Sequence, residues 1–403
     1  MADQSYSRIQ SIDALRGLAL AGIFICHMTE NYIGSMAPQS FNDAVHLGFI
    51  DDIIDGLIFF FLRGKFIALF SFLFGLSFFI QMDNGAKKGK PFGIRFLWRL
   101  IILLAIGYVH SLFYRGDILT IYAFLGIFLI PFYNINNKWI LGIAAVLFLG
   151  LARYIVYFII GTDSIWGGSP EMDGNAAWVT EYYDILKNGS LLDVFDTNAI
   201  AGHKGKSDFQ FSIFGRGYFT FAFFLLGLYM GRIGFFQNLG EHKKFIKKAL
   251  IWSGVTLVVS FGIVAGAFSQ VGPDAGLDSW YAMVGLSALD IANMAQTFLW
   301  IAVFVVLYQK VKPGRWLSKL APYGRMALTN YVLQSIVGTF LLYGWGLGLI
   351  GELRQLYAFL LALVLFALQV WLSKLWLGRF NYGPLEWLWR SLTFFKIFPL
   401  LRK

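Results

Sequence analysis

Two ionisable residues that could act on a substrate lie in the first long apolar run of the chain. Arg16 and His27 are eleven residues apart, within a run that begins near Ala14. In a helix that spacing is roughly three turns, so both side chains share one face, about 16 Å apart along the axis. Ionisable groups inside a membrane are costly and therefore candidates for function. A cation near one surface and a deeper imidazole suit a ligand that enters phosphate-first and reacts beyond the middle of the membrane.

Glu30 is the candidate partner of this imidazole. It lies three residues after His27, a spacing at which helical side chains meet, so its carboxylate could orient the ring. The structural alternative is that Arg16 extends to lipid phosphates while His27 bonds a neighbouring carbonyl group. Spacing alone does not separate these two interpretations.

Two further histidines are weaker candidates. His110 lies in the third apolar run, just before an expected tight external turn in which Arg115 would pair with Asp117. A single buried histidine is more often a hydrogen-bonded core residue than a catalytic one. His46 lies among several aspartates in an expected external loop, where it is either solvated or a base reached from outside.

Polar residues also recur at helical spacing in two late apolar runs: Asp290, Asn293 and Gln296 in one, Asn330 and Gln334 in the other. Such stripes either bind helices together or line a cavity. Arg325 stands at the start of the second of these runs, where a cation and a helix N-terminus would form a weak anion site.

The composition identifies the elements that must position these residues. Of 403 residues, 58% are apolar and 14% are charged, and the mean hydropathy is +0.63. The apolar residues form runs of about 18 to 25, the length that crosses roughly 30 Å of hydrocarbon. Backbone amides in lipid must be satisfied within their own segment, so the runs predict helices. We therefore expect an all-α polytopic membrane protein with a single transmembrane domain over residues 1–403.

About ten membrane-spanning helices are expected, at 13–34, 64–82, 94–114, 118–133, 139–161, 210–231, 247–268, 281–309, 326–349 and 354–377. Lys and Arg concentrate in alternate loops, which by the positive-inside rule predicts that both termini are cytoplasmic. The net charge of +10 is thus divided among short loops on alternate sides of the membrane, so nucleic acid is not an expected partner.

Three segments depart from plain spans. Residues 44–63 predict an interfacial or re-entrant helix that leads into the second span. Residues 162–208 form an external loop that is too long for a simple connector, so it is either disordered or caps the external face. Residues 381–403 alternate aromatic and basic residues, which suits a cytoplasmic tail with a helix on the membrane surface. No metal-ligand spacing, P-loop or dinucleotide fingerprint is present, and we expect no metal.

Four segments carry a resemblance to a known family: 8–17 (RIQSIDALRG), 63–75 (RGKFIALFSFLFG), 324–335 (GRMALTNYVLQS) and 383–390 (GPLEWLWR). Together they resemble the YeiB family of bacterial membrane proteins at both ends of the chain, whereas residues 135–208 match little. The resemblance implies a multi-pass protein of the bacterial cytoplasmic (inner) membrane.

The YeiB family is similar to the transmembrane acyltransferases, which include the lysosomal heparan glucosaminide acetyltransferase and the acyltransferase-3 group. These proteins pass an acyl group from cytosolic acyl-CoA to an acceptor across the membrane. The acyltransferase-3 group carries an Arg, ten residues and a His in its first helix, and Arg16 with His27 has the same spacing. In the heparan enzyme the catalytic His is associated with the external region after the first helix, which makes His46 a competing base.

The resemblance therefore implies a membrane acyltransferase that uses acetyl-CoA or another acyl-CoA. Arg16, Arg325 and Arg99 would hold the CoA phosphates, and His27 oriented by Glu30 would be the base, with His46 and His110 as alternatives. The acceptor would be a hydroxyl or amine of an envelope glycan or lipid on the outer side. Membrane lipids are expected partners, and a homodimer is allowed. The rival interpretations are a transporter or flippase-like carrier without catalysis, and a sensory or scaffold protein.

Overall fold

The computed structural model describes residues 9–89, 92–161, 164–166, 176–272 and 279–402. Within these ranges the fold is helical, and β-structure is limited to one isolated bridge between Phe380 and Leu401. The helices of the N-terminal half are α1 (Gln10–Thr29), α2 (Gln39–Val45), α3 (Phe49–Phe61), α4 (Lys65–Lys87), α5 (Gly93–Phe113), α6 (Leu119–Phe132), α7 (Asn137–Phe148), α8 (Leu151–Ile160), α9 (Ala177–Asn188) and α10 (Leu191–Ala199). Those of the C-terminal half are α11 (Ala201–Phe211), α12 (Arg216–Arg232), α13 (Lys243–Phe268), α14 (Trp280–Tyr308), α15 (Val311–Ser318), α16 (Ala321–Arg325), α17 (Ala327–Leu342), α18 (Gln355–Arg379) and α19 (Pro384–Phe394).

Six helical stretches among the described residues are long and apolar enough to cross a membrane: α1, α3 with α4, α5, α13, α14 and α18. Two bent pairs raise the number to eight if each pair is one span; α7 and α8 meet at 66°, and α11 and α12 at 64°. The all-helical class and the presence of several candidate spans are thus confirmed.

Two of the expected spans are short helices. α6 has 14 residues and α17 has 16, which correspond to about 21 and 24 Å. Neither length reaches the roughly 30 Å of a hydrocarbon core. α17 directly follows the short helix α16, whose C-terminal cap residue, Met326, is also the N-terminal cap residue of α17.

The stretch formed by α3 and α4 is longer than one span. It covers 39 residues, or about 58 Å if straight, so part of it must lie outside the hydrocarbon. The break between the two helices occurs at Gly64, which has φ of +80°. Asp51 in α3 forms an ion pair of 2.8 Å with Arg354, the residue that precedes α18.

α1 is the centre of the bundle and α13 lies at its edge. In the most apolar window of each helix, 83% of the α1 residues are buried but only 11% of those of α13. Because an apolar surface of α13 remains uncovered by protein, we expect this helix to face lipid.

Glycines allow two close helix crossings that shape the interior. A Cβ atom at Gly75 of α4 would overlap the backbone of Phe224 in α12. Likewise, α1 and α16 touch through backbone atoms, since a Cβ at Gly324 would overlap the carbonyl oxygen of Asp13. Small residues permit such close approach between membrane helices. Gly17 of α1 faces Gly324 in this second crossing, which brings Arg16, just before Gly17, and Arg325, just after Gly324, into the same region.

Helices α9 to α11 cover the turn between α5 and α6. α10 packs on α5, and Val179, Leu186 and Val194 are buried. The hydroxyl of Tyr182 donates to the carbonyl of Ile33 over 3.2 Å. Residues 176–211 are therefore a packed helical segment, while 162–163 and 167–175 lie outside the described residues.

Candidate functional site

A cavity of about 240 Å³ lies between α1, α4, α5, α6, α16, α17 and α19. Its walls are mostly apolar, with Ile23, Phe70, Leu73, Phe74, Phe78, Phe96, Leu100, Leu103, Leu119 and Leu328 among the lining residues. Along α4 the lining extends from Phe70 to Gln81, which is about 16 Å of helix. The cavity is thus long enough for an extended ligand.

One end of the cavity is basic. Arg16, Arg99 and Arg325, the three arginines expected to hold phosphates, all line it. Arg16 donates to Asp13 over 2.9 Å and to Ser77 over 3.0 Å. Arg325 donates to the carbonyl of Asn381 over 3.4 Å. Guanidinium groups from three separate helices therefore converge on one volume, a charge arrangement that favours an anionic ligand.

Glu386 of α19 is a lining residue that sequence reasoning missed. Its carboxylate accepts from the backbone nitrogens of Leu328 (2.7 Å) and Thr329 (3.1 Å) and from the Thr329 hydroxyl (2.6 Å). It thereby caps the N-terminus of α17. Burial raises the pKa of Glu386, and these hydrogen bonds oppose the rise. The carboxylate ties the C-terminal helix to the basic end of the cavity.

Trp389, also on α19, completes this end. Its indole N–H donates to the backbone carbonyl of Arg99 over 2.8 Å. The guanidinium carbon of Arg99 lies 3.5 Å from the centre of the Trp389 ring, a cation–π contact. Within the described chain, the Nε of Arg99 has no hydrogen-bond partner.

The other end of the cavity is bounded by Tyr331, behind which lies a buried His–Asp pair. The rings of Tyr331 and His110 are 5.0 Å apart. The Nδ1 of His110 is 2.7 Å from Asp117 Oδ1, an arrangement in which a carboxylate orients an imidazole. The opposite nitrogen, Nε2, is buried and has no hydrogen-bond partner among the residues described. A neutral imidazole in this state has one nitrogen available to accept a proton.

Asp117 is held as a carboxylate by several donors. It accepts from the backbone nitrogens of Leu119 and Thr120 and from the Thr120 hydroxyl, and Lys206 Nζ lies 3.7 Å away. Burial alone would raise its pKa, but the hydrogen bond from His110 and the charge of Lys206 lower the pKa of Asp117 to about 2. The expected pairing of Asp117 with Arg115 was wrong. Arg115 instead packs over the Tyr182 ring, 3.4 Å from its centre.

His27 is buried close to this region but does not line the cavity. Its Nδ1 is 3.0 Å from the hydroxyl of Tyr114, the C-cap residue of α5. The expected role of Glu30 as its partner is not what the structure has, because Glu30 bonds to Arg63 over 2.8 Å. Arg63, which lies at the break between α3 and α4, is thus the partner of Glu30 in place of His27.

His46 also lies outside the cavity lining. It follows α2, is half-buried, and its Nδ1 is 3.0 Å from the carbonyl oxygen of Asn42. None of the four histidine and glutamate candidates lines the cavity, and His110 is the one that packs directly behind a lining residue, Tyr331. Among the described residues, no group of three or more His, Cys, Asp or Glu could hold a metal ion.

A second polar cluster is separate from the cavity. Asp290 of α14 accepts from Arg153 over 2.6 Å and from Arg216 over 2.6 Å. Arg153 is fully buried and also donates to Ser287 and to the carbonyl groups of Ile213 and Phe214. The triad joins α8, the break before α12, and α14, and so holds both bent helix pairs. The polar stripe pointed to Asp290, but no local pattern identified Arg153 as its partner.

Comparison with known proteins gives relatives along nearly the whole chain. Residues 230–396 match a family described as a protein of unknown function, DUF418. The chain is 29% identical to the uncharacterized protein YxaH of Bacillus subtilis, over 98% of this chain and 96% of that protein. It is 26% identical to an uncharacterized 39.9 kDa protein in the amylase 3′ region of Bacillus acidopullulyticus, over 98% and 96%.

The chain is also 24% identical to the uncharacterized protein YeiB of Escherichia coli, over 98% of both chains. No solved structure matches. The relatives' names state no activity, so the chemistry must be argued from the cavity.

Proposed function

Because this chain is a member of the YeiB family of membrane proteins, we propose that it is an acyltransferase that moves an acyl group from cytosolic acyl-CoA to an envelope glycan or lipid. One observation carries the proposal. A single elongated cavity has three arginines at one end and, at the other, Tyr331 backed by the His110–Asp117 pair. Acyl transfer from a phosphorylated thioester needs cations that bind the phosphates and a base that is positioned to accept a proton.

The topology belongs to the same proposal. The protein would have about ten spans with both termini in the cytoplasm, in the bacterial cytoplasmic membrane, as the distribution of Lys and Arg favours. Arg16 precedes His27 in α1, and Arg99 precedes His110 in α5. The basic end of the cavity would then open toward the cytosol, where acyl-CoA is made, and the histidine end would lie toward the outer side.

In the proposed reaction His110 is the base. In this proposal the Tyr331 ring moves aside when the acceptor binds, and Nε2 of His110 then removes the proton from an acceptor hydroxyl or amine, whose oxygen or nitrogen attacks the thioester carbonyl carbon. The carbon–sulfur bond then breaks, and the proton on His110 passes to the leaving thiolate, so that CoA departs as a thiol. Asp117 holds the ring and stabilises the imidazolium that forms between the two steps. His27 would support this centre through Tyr114 rather than act directly.

The first test is binding of acetyl-CoA to the purified full-length chain, by isothermal titration in detergent. We expect Arg16→Ala and Arg99→Ala to weaken binding at least about tenfold each, since each removes a charge-assisted contact. Arg315→Ala is the matched control, because Arg315 is exposed on α15 and does not line the cavity. Failure of the wild-type protein to bind acetyl-CoA or a longer acyl-CoA would overturn the proposal.

The second test separates binding from chemistry. Cell envelopes that contain the protein are given CoA labelled in its acetyl group, and transfer of label to glycan and lipid fractions is measured. We expect His110→Asn to reduce transfer by about 10² to 10⁴ while acetyl-CoA binding is retained. His242→Asn, at the start of α13, should have no effect. Full transfer by His110→Asn would exclude it as the base and return His27 to that role.

A carrier without catalysis is the alternative function. The two bent helix pairs and the Arg153–Asp290–Arg216 triad, in which Arg153 and Asp290 are buried, favour it, since broken helices with internal charges occur in transporters. Uptake of a labelled amphiphilic anion into vesicles, without any acyl transfer, would support the carrier.

A further inference from the structure

We infer that Trp389 is the platform on which the cavity receives a purine base, so that the site selects nucleotide thioesters over thioesters that carry only a phosphopantetheine arm. This inference rests on the proposed function and specifies which part of the acyl donor the protein recognises.

The position of Trp389 is held by two contacts. Glu386, three residues earlier in α19, is bonded to the first turn of α17. The indole N–H of Trp389 is already donated to the carbonyl of Arg99. Its only polar atom is satisfied and the Arg99 guanidinium covers one ring face, so what the side chain can still offer a ligand is the opposite face and the edge of its rings. Such a surface suits a planar aromatic ligand such as a nucleobase, which can stack on it.

Arg99 gives this surface its charge. Its guanidinium carbon is 3.5 Å from the Trp389 ring centre, and both side chains line the cavity. A planar guanidinium can stack on an aromatic face while its edge binds a phosphate. The pair therefore combines recognition of a flat aromatic group with recognition of the phosphates attached to it. A nucleotide has both groups, whereas a phospholipid or a phosphopantetheine has only the phosphate.

The length of the cavity agrees with this placement. Trp389 and Glu386 lie at the end that carries Arg16, Arg99 and Arg325, while Tyr331 and the His110 pair are at the opposite end. The α4 lining spans about 16 Å in all, so a base at Trp389 places the arm that carries the thioester along the remaining apolar part of that length, toward Tyr331 and His110.

The experiment compares two ligands on one protein. Acetyl-CoA and acetyl-4′-phosphopantetheine are titrated calorimetrically into wild type and Trp389→Ala. We expect wild type to bind acetyl-CoA more tightly through both the base and the additional phosphates, and Trp389→Ala to weaken acetyl-CoA about ten- to hundredfold, as one stacked base contributes, while leaving acetyl-4′-phosphopantetheine unchanged. Trp389→Phe should retain most of the acetyl-CoA affinity. Trp316→Ala is the control, because Trp316 also stacks with a cation, Lys319 at 3.7 Å, but lies outside the cavity.

A measurement on the wild type guards against a variant that does not fold. Adenosine 3′,5′-bisphosphate should displace acetyl-CoA, whereas inorganic phosphate at the same concentration should not. Equal affinity of wild type for the two thioesters, or an undiminished affinity of folded Trp389→Ala for acetyl-CoA, would overturn this inference and leave the proposed function standing. Binding of neither thioester by folded wild type would overturn both.

Discussion

The contact between α1 and α16 predicts a large effect of adding one methyl group. In Gly324→Ala the new Cβ would overlap the Asp13 carbonyl oxygen and lie 2.6 Å from the backbone nitrogen of Gly17. An ordinary contact begins at 3.4 Å, so the helices would have to separate by at least about 0.8 Å. Because both sides of the contact are backbone, no side-chain rotation can relieve it. Overpacking of this kind costs about 1–3 kcal/mol, and rigid backbone places the cost at the upper end.

The assay is thermal unfolding of the detergent-solubilised protein, followed by tryptophan fluorescence. We expect Gly324→Ala to lower Tm by several degrees. Gly254→Ala is the matched control, because Gly254 lies inside α13 and a Cβ atom added there would meet no other atom within 4 Å. At that position the same substitution should stabilise the helix by up to about 1 kcal/mol.

A second substitution on the facing helix tests the geometry itself. A Cβ at Gly17 would lie 2.5 Å from the carbonyl oxygen of Leu320 in the same crossing. Once one alanine has separated the helices, the second has less to displace, so the costs of Gly17→Ala and Gly324→Ala should be less than additive. Equal melting of Gly324→Ala and Gly254→Ala, or strict additivity of the two crossing variants, would refute the reasoning.

Three further predictions use the same melts. Asp290→Ala leaves the buried Arg153 and the half-buried Arg216 without their counter-charge, so stability should fall by about 3–5 kcal/mol; a loss below about 1 kcal/mol would argue against the triad. The pKa of Asp117 is lowered on folding, so its stabilisation is present above the unfolded pKa and lost only as pH falls through about 2; the Tm deficit of Asp117→Asn should therefore be constant from about pH 5 to 8. The pKa of Glu386 is raised on folding, so its linked stabilisation is greatest at low pH and is lost as pH rises through the raised pKa. The Tm advantage of wild type over Glu386→Gln should therefore be larger at about pH 4 than at about pH 8, and equal advantages at the two pH values would contradict the shift.

The helices and the basic end of the cavity were accessible from sequence. Apolar runs identify membrane helices because the bilayer imposes their length and polarity. Arg16, Arg99 and Arg325 stand out because a cation near a membrane helix end requires an explanation. The resemblance then assigned them one ligand, and the structure brings them into one cavity.

What sequence could not predict depends on partners that are distant along the chain. Trp389 meets Arg99 across 290 positions, and Glu386 reaches α17 across 57. Neither contact leaves a local periodic signal. The expected pair of His27 and Glu30 relied on helical spacing, but α1 ends at Thr29 and leaves Glu30 to Arg63. A usable signal existed at Asp117, since an aspartate three residues before Thr120 is typical of a helix cap.

The lining of the cavity by both α1 and α19 has a consequence for how the protein is made. Arg16 enters the membrane early, whereas Glu386 and Trp389 are translated some 370 residues later. At about 5–20 residues per second this interval is roughly 20 to 75 s. During that time α1 carries its own counter-ion, because Asp13 lies one turn from Arg16 and bonds to it over 2.9 Å. This ion pair within α1 would keep the charge of Arg16 neutralised in the translocon and the bilayer until α19 is made and completes the cavity.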